Sequence, residues 1–173
     1  MTARLLPEKG IFEYIDAASR LKKQHPNIRC LLVGYIDNVS AGITSRDIQE
    51  WEKAGIEYLG KQDDVREALR LASVFVLPSY REGTPRSVLE AMAMGRPIIT
   101  TDVPGCRETV IHECNGFLVA SKSSDSLYEA MLRFVQHPHL IPHFGEESLR
   151  IVREKFDVNH VNQDMVNILL KRF

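Results

Sequence analysis

Two hydrophobic patterns alternate along the chain. Short, mainly apolar runs occupy residues 28–33, 56–59, 74–77, 97–100 and 116–119, and Leu5 and Leu6 close an earlier one. Between these runs, apolar residues recur at the spacing of an amphipathic helix. Short apolar strands that alternate with helices are typical of a parallel sheet covered on both faces. The sequence therefore predicts an α/β fold with a doubly wound parallel sheet.

The helical pattern predicts helices at residues 11–21, 44–54, 65–71, 87–94, 125–134, 142–155 and 158–170. Ligands of doubly wound sheets bind at the carboxyl ends of the strands. Functional side chains are therefore expected in the loops that follow the strands.

Composition is that of an ordinary globular domain. The 173 residues are 44% apolar, and 22 basic against 23 acidic side chains give a net charge of −1. Because a near-neutral chain is unsuited to nonspecific nucleic-acid binding, no nucleic-acid partner is expected. No apolar stretch approaches the ~20 residues that span a bilayer, and the first residues lack the pattern of a secretory signal. These features predict a cytoplasmic protein.

Cysteines and histidines give no sign of a metal centre. The three cysteines lie far apart and lack CxxC spacing, which indicates reduced thiols: Cys30, Cys106 and Cys114. His137, His139 and His143 resemble a metal tract, but Pro138 and Pro142 interrupt it and no cysteine or carboxylate pattern accompanies it. We interpret the histidines as part of a solvated loop between helices.

Several well-known signatures are absent. The sequence has no GxGxxG after the first strand and no GxxxxGK[ST], which disfavours a dehydrogenase or a P-loop enzyme. It has no GxSxG and no HExxH. A receiver-like or protein-interaction domain is a further class, but the acidic cluster of a receiver domain is missing.

Two carboxylates flank the start of a predicted helix. Thr84 and Pro85 form a plausible N-cap and first-turn pair, so Glu82 precedes the helix and Glu90 lies about 9 Å further along its axis. A helix N-terminus attracts phosphate, and carboxylates accept hydrogen bonds from hydroxyl groups. This layout suits a nucleoside diphosphate sugar. The structural alternative is a capping box of Ser87 and Glu90, with Glu82 complementing the helix dipole.

Two cations bracket the turn after the first strand. Arg4 and Lys9 stand where they can reach a diphosphate at the carboxyl edge of the sheet. The alternative is that they form solvated ion pairs with Glu8 and Glu13, which contribute little stability.

Five motifs, in order, resemble the carboxyl-terminal half of the family-4 retaining glycosyltransferases. They are RLxxxKG at 4–10, LPSxxEG at 77–83, the pair Glu82 and Glu90 with seven residues between them, LEAMAMGRPII at 89–99, and NGFLV at 115–119. The resemblance covers nearly the whole chain. It implies a GT-B enzyme, in which two Rossmann-like domains enclose a cleft, retention at the anomeric carbon, and no bound metal or other cofactor.

The resemblance also implies a division of the chain. Residues 1–155 would form the Rossmann-like domain that binds the nucleotide sugar. Residues 156–173 would form a C-terminal helix that crosses back toward an amino-terminal domain, which this sequence lacks. That missing domain normally supplies acceptor contacts, so this chain alone is expected to bind donor and to be incomplete for turnover.

Site roles carried over from the family place the catalytic residues at Arg4, Lys9 and Glu82. Arg4 and Lys9 would hold the diphosphate and stabilise charge on the leaving group, and Glu82 would contact sugar hydroxyls. The other donor-binding residues would be Gly83 and Thr84 through backbone N–H groups, Glu90 through the ribose, its neighbour Leu89, and Lys61 and Gln62 at the base. Many members have a glycine where this chain has Pro85, which bears on donor-sugar specificity.

The subgroup with the most similar sequence builds bacterial surface polysaccharide or lipid-linked oligosaccharide. The resemblance thus implies transfer of a hexosyl or N-acetylhexosaminyl group from a UDP-sugar to a saccharide or polyprenol-linked acceptor, in the cytoplasm or at the inner face of the membrane. The alternative is a noncatalytic nucleotide-binding α/β module.

Overall fold

The computed structural model describes residues 1–36 and 42–170. Within them, five strands are each parallel to their neighbours: β1 (Cys30–Leu32), β2 (Ile56–Tyr58), β3 (Phe75–Leu77), β4 (Ile98–Thr101) and β5 (Gly116–Val119). A short 3₁₀ helix, Pro7–Lys9, precedes seven helices in the same described residues: α1 (Ile11–Gln24), α2 (Ser45–Lys53), α3 (Arg66–Leu71), α4 (Arg86–Ala93), α5 (Ser124–Gln136), α6 (Leu140–Lys155) and α7 (Val158–Leu170).

The strands form two hydrogen-bonded groups. β1 pairs with β2, and β4 lies between β3 and β5. Residues 1–5 run parallel to the end of β1: the Ala3 N–H donates to the Val33 carbonyl at 3.1 Å, and the Leu5 N–H donates to the Tyr35 carbonyl at 3.0 Å. The predicted first strand is therefore present as isolated bridges. It ends at Leu5, because the Leu6 N–H turns back to the Arg4 carbonyl at 2.9 Å.

Helices cover both faces of the strands. Every residue of β1, β3 and β4 is buried, which requires cover on both sides. α1 packs against α5, and α4 packs against α6. At the far edge, the rings of Phe117, Phe134 and Phe144 lie 5.0 to 5.8 Å apart and close the core between β5, α5 and α6. The predicted doubly wound parallel α/β fold is confirmed.

One histidine, His143, lies inside the helix predicted at 142–155 and not in the loop to which the histidines were assigned. His137 and His139 fall between α5 and α6, but His143 is inside α6. The helix begins two residues before Pro142, and a proline is tolerated in the first turn because its missing N–H has no partner there. Cys30 and Cys106 are buried free thiols, and burial raises the pKa of both.

The last helix, α7, leaves apolar side chains exposed. Val158 and Ile168 are 64% and 60% exposed, and Met165 and Val166 are also open to solvent. The helix itself matches the sequence prediction, whereas its crossing toward another domain stays a prediction, and residues 171–173 lie outside the described part. In the described residues, no helix has the length and apolarity to cross a membrane.

Candidate functional site

A cleft of about 660 Å³ lies at the carboxyl ends of the strands. Its walls come from segments that follow residues 1–5, β1, β2 and β3. Seven of the residues predicted from the sequence line it: Arg4, Lys9, Lys61, Gln62, Glu82, Thr84 and Glu90. Gly83 and Leu89 do not line it. Leu89 packs against the hydrophobic core instead. The topology thus brings together side chains that are up to 86 positions apart in the sequence.

Gly10 fixes the position of Lys9. It follows the 3₁₀ helix with φ +71°, and a Cβ at this position would lie 2.1 Å from the Pro78 carbonyl oxygen. The Glu8 carbonyl accepts hydrogen bonds from the Tyr80 N–H at 2.8 Å and the Ser79 hydroxyl at 3.1 Å. Only glycine fits this close approach. The close packing and the hydrogen bonds hold the turn that carries Lys9 against the loop that follows β3.

Lys9 and Glu82 form an ion pair inside the cleft. The Lys9 Nζ donates to Glu82 Oε1 at 2.6 Å, and the two side chains are only 18% and 13% exposed. For Lys9, the alternative of solvated pairing with Glu8 or Glu13 is therefore wrong. The pairing depends on the β3–α4 loop folding over the 3₁₀ turn, a contact 73 residues apart in sequence.

Glu13 instead binds Tyr80. The Tyr80 hydroxyl donates to Glu13 Oε1 at 2.6 Å, while the buried Oε2 has no hydrogen-bond partner among the described residues. Burial, together with this bond to a carboxylate, raises the pKa of Tyr80 to about 12. The phenol therefore stays neutral and holds α1 to the β3–α4 loop.

The end of β4 and the loop that follows it contact the backbone around Glu82. The Thr101 hydroxyl donates to the Ser79 carbonyl, and the Ser79 hydroxyl also reaches the Arg81 carbonyl at 3.2 Å. Gly105 has φ +84°, and a Cβ there would lie 1.9 Å from the Gly83 carbonyl oxygen and 2.3 Å from that of Glu82. The backbone that carries Glu82 is thus held by contacts on two sides.

Helix α4 begins at Arg86, one residue before the predicted range 87–94 and one residue after the start that a cap at Thr84 implies. Pro85, in extended conformation with φ −71° and ψ 107°, is the N-cap, and no side chain caps the helix. The predicted cap at Thr84 is wrong because Pro85 does not adopt helical geometry. Ser87 lies inside the first turn, so the capping box with Glu90 is not formed either. Among the described residues, no cation lies within 4.0 Å of the Glu90 carboxylate, which is exposed in the cleft.

The opposite wall of the cleft is open to solvent. Tyr35 is 43% exposed, and the Lys61 Nζ lies 6.0 Å from the centre of its ring. The Lys61 side chain is itself 66% exposed, with Asp63 Oδ1 at 3.8 Å. The Gln62 amide folds back to the Leu59 carbonyl at 2.6 Å. This wall therefore offers an exposed aromatic ring beside an exposed ammonium group.

Among the residues that line the cleft but were not predicted as site residues, two carry a large polar or charged side chain. Arg86 is the first residue of α4, and Tyr35 follows β1. The sequence carried a signal for both, since each directly follows a segment already assigned to the carboxyl edge: 77–85 for Arg86 and 28–34 for Tyr35.

The fold defines a doubly wound, Rossmann-like α/β class of domain with a cleft at the carboxyl ends of its strands. Comparison with known proteins identifies the family. The sequence profile described as "Glycosyl transferases group 1" matches residues 1–150. The chain therefore belongs to this family of glycosyl transferases. Its fold is that of one domain of the GT-B architecture, as predicted from the five motifs.

The names of two relatives include lipid-linked sugars. The chain is 31% identical, over all of its length, to the Campylobacter jejuni N,N'-diacetylbacillosaminyl-diphospho-undecaprenol alpha-1,3-N-acetylgalactosaminyltransferase. It is 30% identical, over 77% of its length, to the Escherichia coli UDP-Gal:alpha-D-GlcNAc-diphosphoundecaprenol alpha-1,3-galactosyltransferase. It spans 42% and 35% of those proteins, which is less than half of each.

A solved structure has the same fold. Anabaena Alr3699/HepE, crystallised in complex with UDP, superposes with a TM-score of 0.85 at 23% identity. The match covers 98% of this chain and 47% of the Anabaena chain. Nearly all of this chain therefore corresponds in fold to about half of the Anabaena chain.

Proposed function

We propose that this domain binds the donor of a retaining glycosyltransferase, which transfers a hexosyl or N-acetylhexosaminyl group from a UDP-sugar. The observation that carries the proposal is the cleft, in which seven residues assigned to donor binding lie together at the carboxyl edge of the sheet. The name of the Escherichia coli relative, which includes UDP-Gal, supports uridine as the nucleotide.

Each wall of the cleft suits one part of such a donor. Arg4 and Lys9 are placed to bind the diphosphate and to stabilise the charge that builds on it as the sugar leaves. Glu82 contacts sugar hydroxyls, Thr84 approaches through its backbone, and the exposed carboxylate of Glu90 accepts hydrogen bonds from the ribose. Lys61 and Gln62 lie beside the base. No bound metal is required in this scheme, because the charge is met by side chains.

The acceptor is a polysaccharide or a polyprenol-linked saccharide. The names of both relatives include a sugar linked to diphospho-undecaprenol, which supports a lipid-linked acceptor in a membrane. We assign the reaction to the cytoplasmic face of that membrane. We assign acceptor contacts to an amino-terminal domain of the kind that makes up the rest of these longer relatives. Turnover by this chain alone is accordingly expected to be slow or absent.

The first test is a calorimetric titration of the chain with UDP, GDP and ADP, with uridine as the phosphate-free control. Selective UDP binding is expected. Glu90→Ala should weaken UDP and uridine alike, since the ribose is common to both, by roughly tenfold for a hydrogen bond to a charged group. Glu129→Ala, which removes an exposed carboxylate from α5, is the matched control and should bind as the wild type does.

Glu82→Ala separates sugar from nucleotide. We expect it to weaken a UDP-sugar while UDP affinity stays nearly the same, because Glu82 is assigned to the sugar. An equal loss for both ligands would show that Glu82 has a structural role. Absence of binding by any nucleotide in the wild-type chain would contradict the donor site itself.

A further inference from the structure

Arg86 is a charged cleft residue to which the proposed function gives no role. It is the first residue of α4, its side chain is exposed, and it lines the same cleft as Lys9 and Glu82. Among the described residues, the charged side chains on the walls of the cleft are four cations and two carboxylates: Arg4, Lys9, Lys61, Arg86, Glu82 and Glu90. The balance among them decides which anion the cleft accepts.

Glu82 neutralises part of that positive charge. Its carboxylate holds Lys9 at 2.6 Å, with both groups largely buried, so their charges cancel at short range. The ammonium group of Lys61 is on the open wall and is well exposed to water, which screens it. A ligand with two phosphate groups therefore needs a cation that no carboxylate of the cleft already holds.

Arg86 meets that need. Among residues 1–36 and 42–170, no carboxylate lies within 4.0 Å of its guanidinium group. Arg86 directly follows Thr84 and Pro85, and all three residues line the cleft. A guanidinium group presents a planar fork of donors that matches two phosphate oxygens at once.

We propose that Arg86 binds the diphosphate of the donor and so selects donors whose sugar is attached through a diphosphate over those attached through a single phosphate. This inference rests on the proposed function, since it concerns the same cleft. It adds a specificity-determining residue to Arg4 and Lys9, of which Lys9 is engaged by Glu82. Arg86 is on the α4 side of the cleft, so it approaches the diphosphate from the side opposite Lys61.

The test compares UDP, UMP and uridine by calorimetry on the full chain, as wild type, Arg86→Ala, Arg86→Lys and Arg81→Ala. Arg86→Ala should weaken UDP by about tenfold or more, UMP by less, and uridine not at all. The UDP affinity of Arg86→Lys should lie between those of Arg86→Ala and wild type. Lysine keeps the positive charge but lacks the planar set of donors of a guanidinium group. Arg81→Ala removes the same charge from an exposed residue outside the cleft, and should bind as wild type.

The outcomes separate this inference from the proposed function. If wild type binds UDP selectively and Arg86→Ala binds it equally well, the inference fails and the proposed function stands. An equal loss of UDP and uridine, or an equal loss in Arg81→Ala, also overturns the role of Arg86. If wild type binds no nucleotide, the proposed function fails and the inference with it. Urea unfolding of each variant shows whether a loss of binding reflects a loss of folding.

Discussion

The two walls of the cleft differ in how firmly they are held. On the closed wall, the backbone of Glu82 touches Gly105, its side chain is paired with Lys9, and both side chains are less than a fifth exposed. On the open wall, Tyr35 is 43% exposed, and a Cβ placed on Gly60 would meet no atom within 4 Å.

This difference fits the division of labour in the proposed function. Groups that must face a reacting bond need a fixed geometry, since small displacements cost rate. A nucleobase can be bound by stacking and by backbone contacts that tolerate adjustment. The closed wall corresponds to the diphosphate and sugar, and the open wall corresponds to the base.

The largest difference in the free energy of unfolding is expected between the alanine variants of two glycines with similar φ angles. Gly105 has φ +84° and Gly60 has φ +67°. Gly60→Ala should cost about 1 kcal/mol, the strain of a left-handed alanine alone. Gly105→Ala should lower the free energy of unfolding by about 3 kcal/mol, since it adds overpacking against the Gly83 carbonyl to the same strain. Urea unfolding measures both, and equal losses would contradict the distinction between the walls.

A smaller contrast is expected between two ion pairs. A double-mutant cycle on Lys9 and Glu82 should give a coupling of about 1 kcal/mol in the free energy of unfolding, because water screens this pair poorly. The same cycle on Lys61 and Asp63 should give no measurable coupling, since that pair is exposed and its atoms are 3.8 Å apart. A larger coupling on the open wall would reverse the comparison.

The smallest effect concerns pH. The folded chain raises the pKa of Tyr80 from 10 to about 12, so folding favours the neutral phenol. That stabilisation is fully present below pH 10 and is lost as the pH rises toward 12. Tyr80→Phe should therefore lose less unfolding free energy than wild type across this interval, as measured by urea titration at each pH. Tyr35→Phe, on the open wall, is the matched control and should keep the wild-type dependence.

Local sequence patterns were sufficient to predict most of the fold. β5 and α7 begin and end where the apolar spacing places them, and the N-cap of α2 is Thr44, the first residue of its predicted range. Buried parallel strands read as continuous apolar runs, and amphipathic helices repeat at their own period, so both signals lie within a few neighbouring residues. Seven of the predicted site residues line one cleft, because the carboxyl ends of parallel strands meet at one edge.

What the sequence did not reveal depends on contacts between distant segments. The partner of Lys9 is 73 residues away, and no local pattern distinguishes Glu82 from the nearer Glu8 and Glu13. The support that Gly105 gives to the β3–α4 loop arises only after the loop following β4 returns to it. The N-cap of α4 was misplaced by one residue because Thr84 followed by Pro85 is an ordinary local cap signal, and only the backbone angles of Pro85 decide against it.

The pairing of α1 with α5 has a consequence for how the chain folds. The Arg20 guanidinium reaches Asp125 at 2.6 Å, and the Tyr128 hydroxyl donates to Gln24 at 2.9 Å, so this interface joins segments more than 100 residues apart. During synthesis, the apolar face of α1 has no permanent cover until α5 has left the ribosome. Contacts of this range form slowly, and they leave apolar surface available to chaperones or to aggregation in the interval.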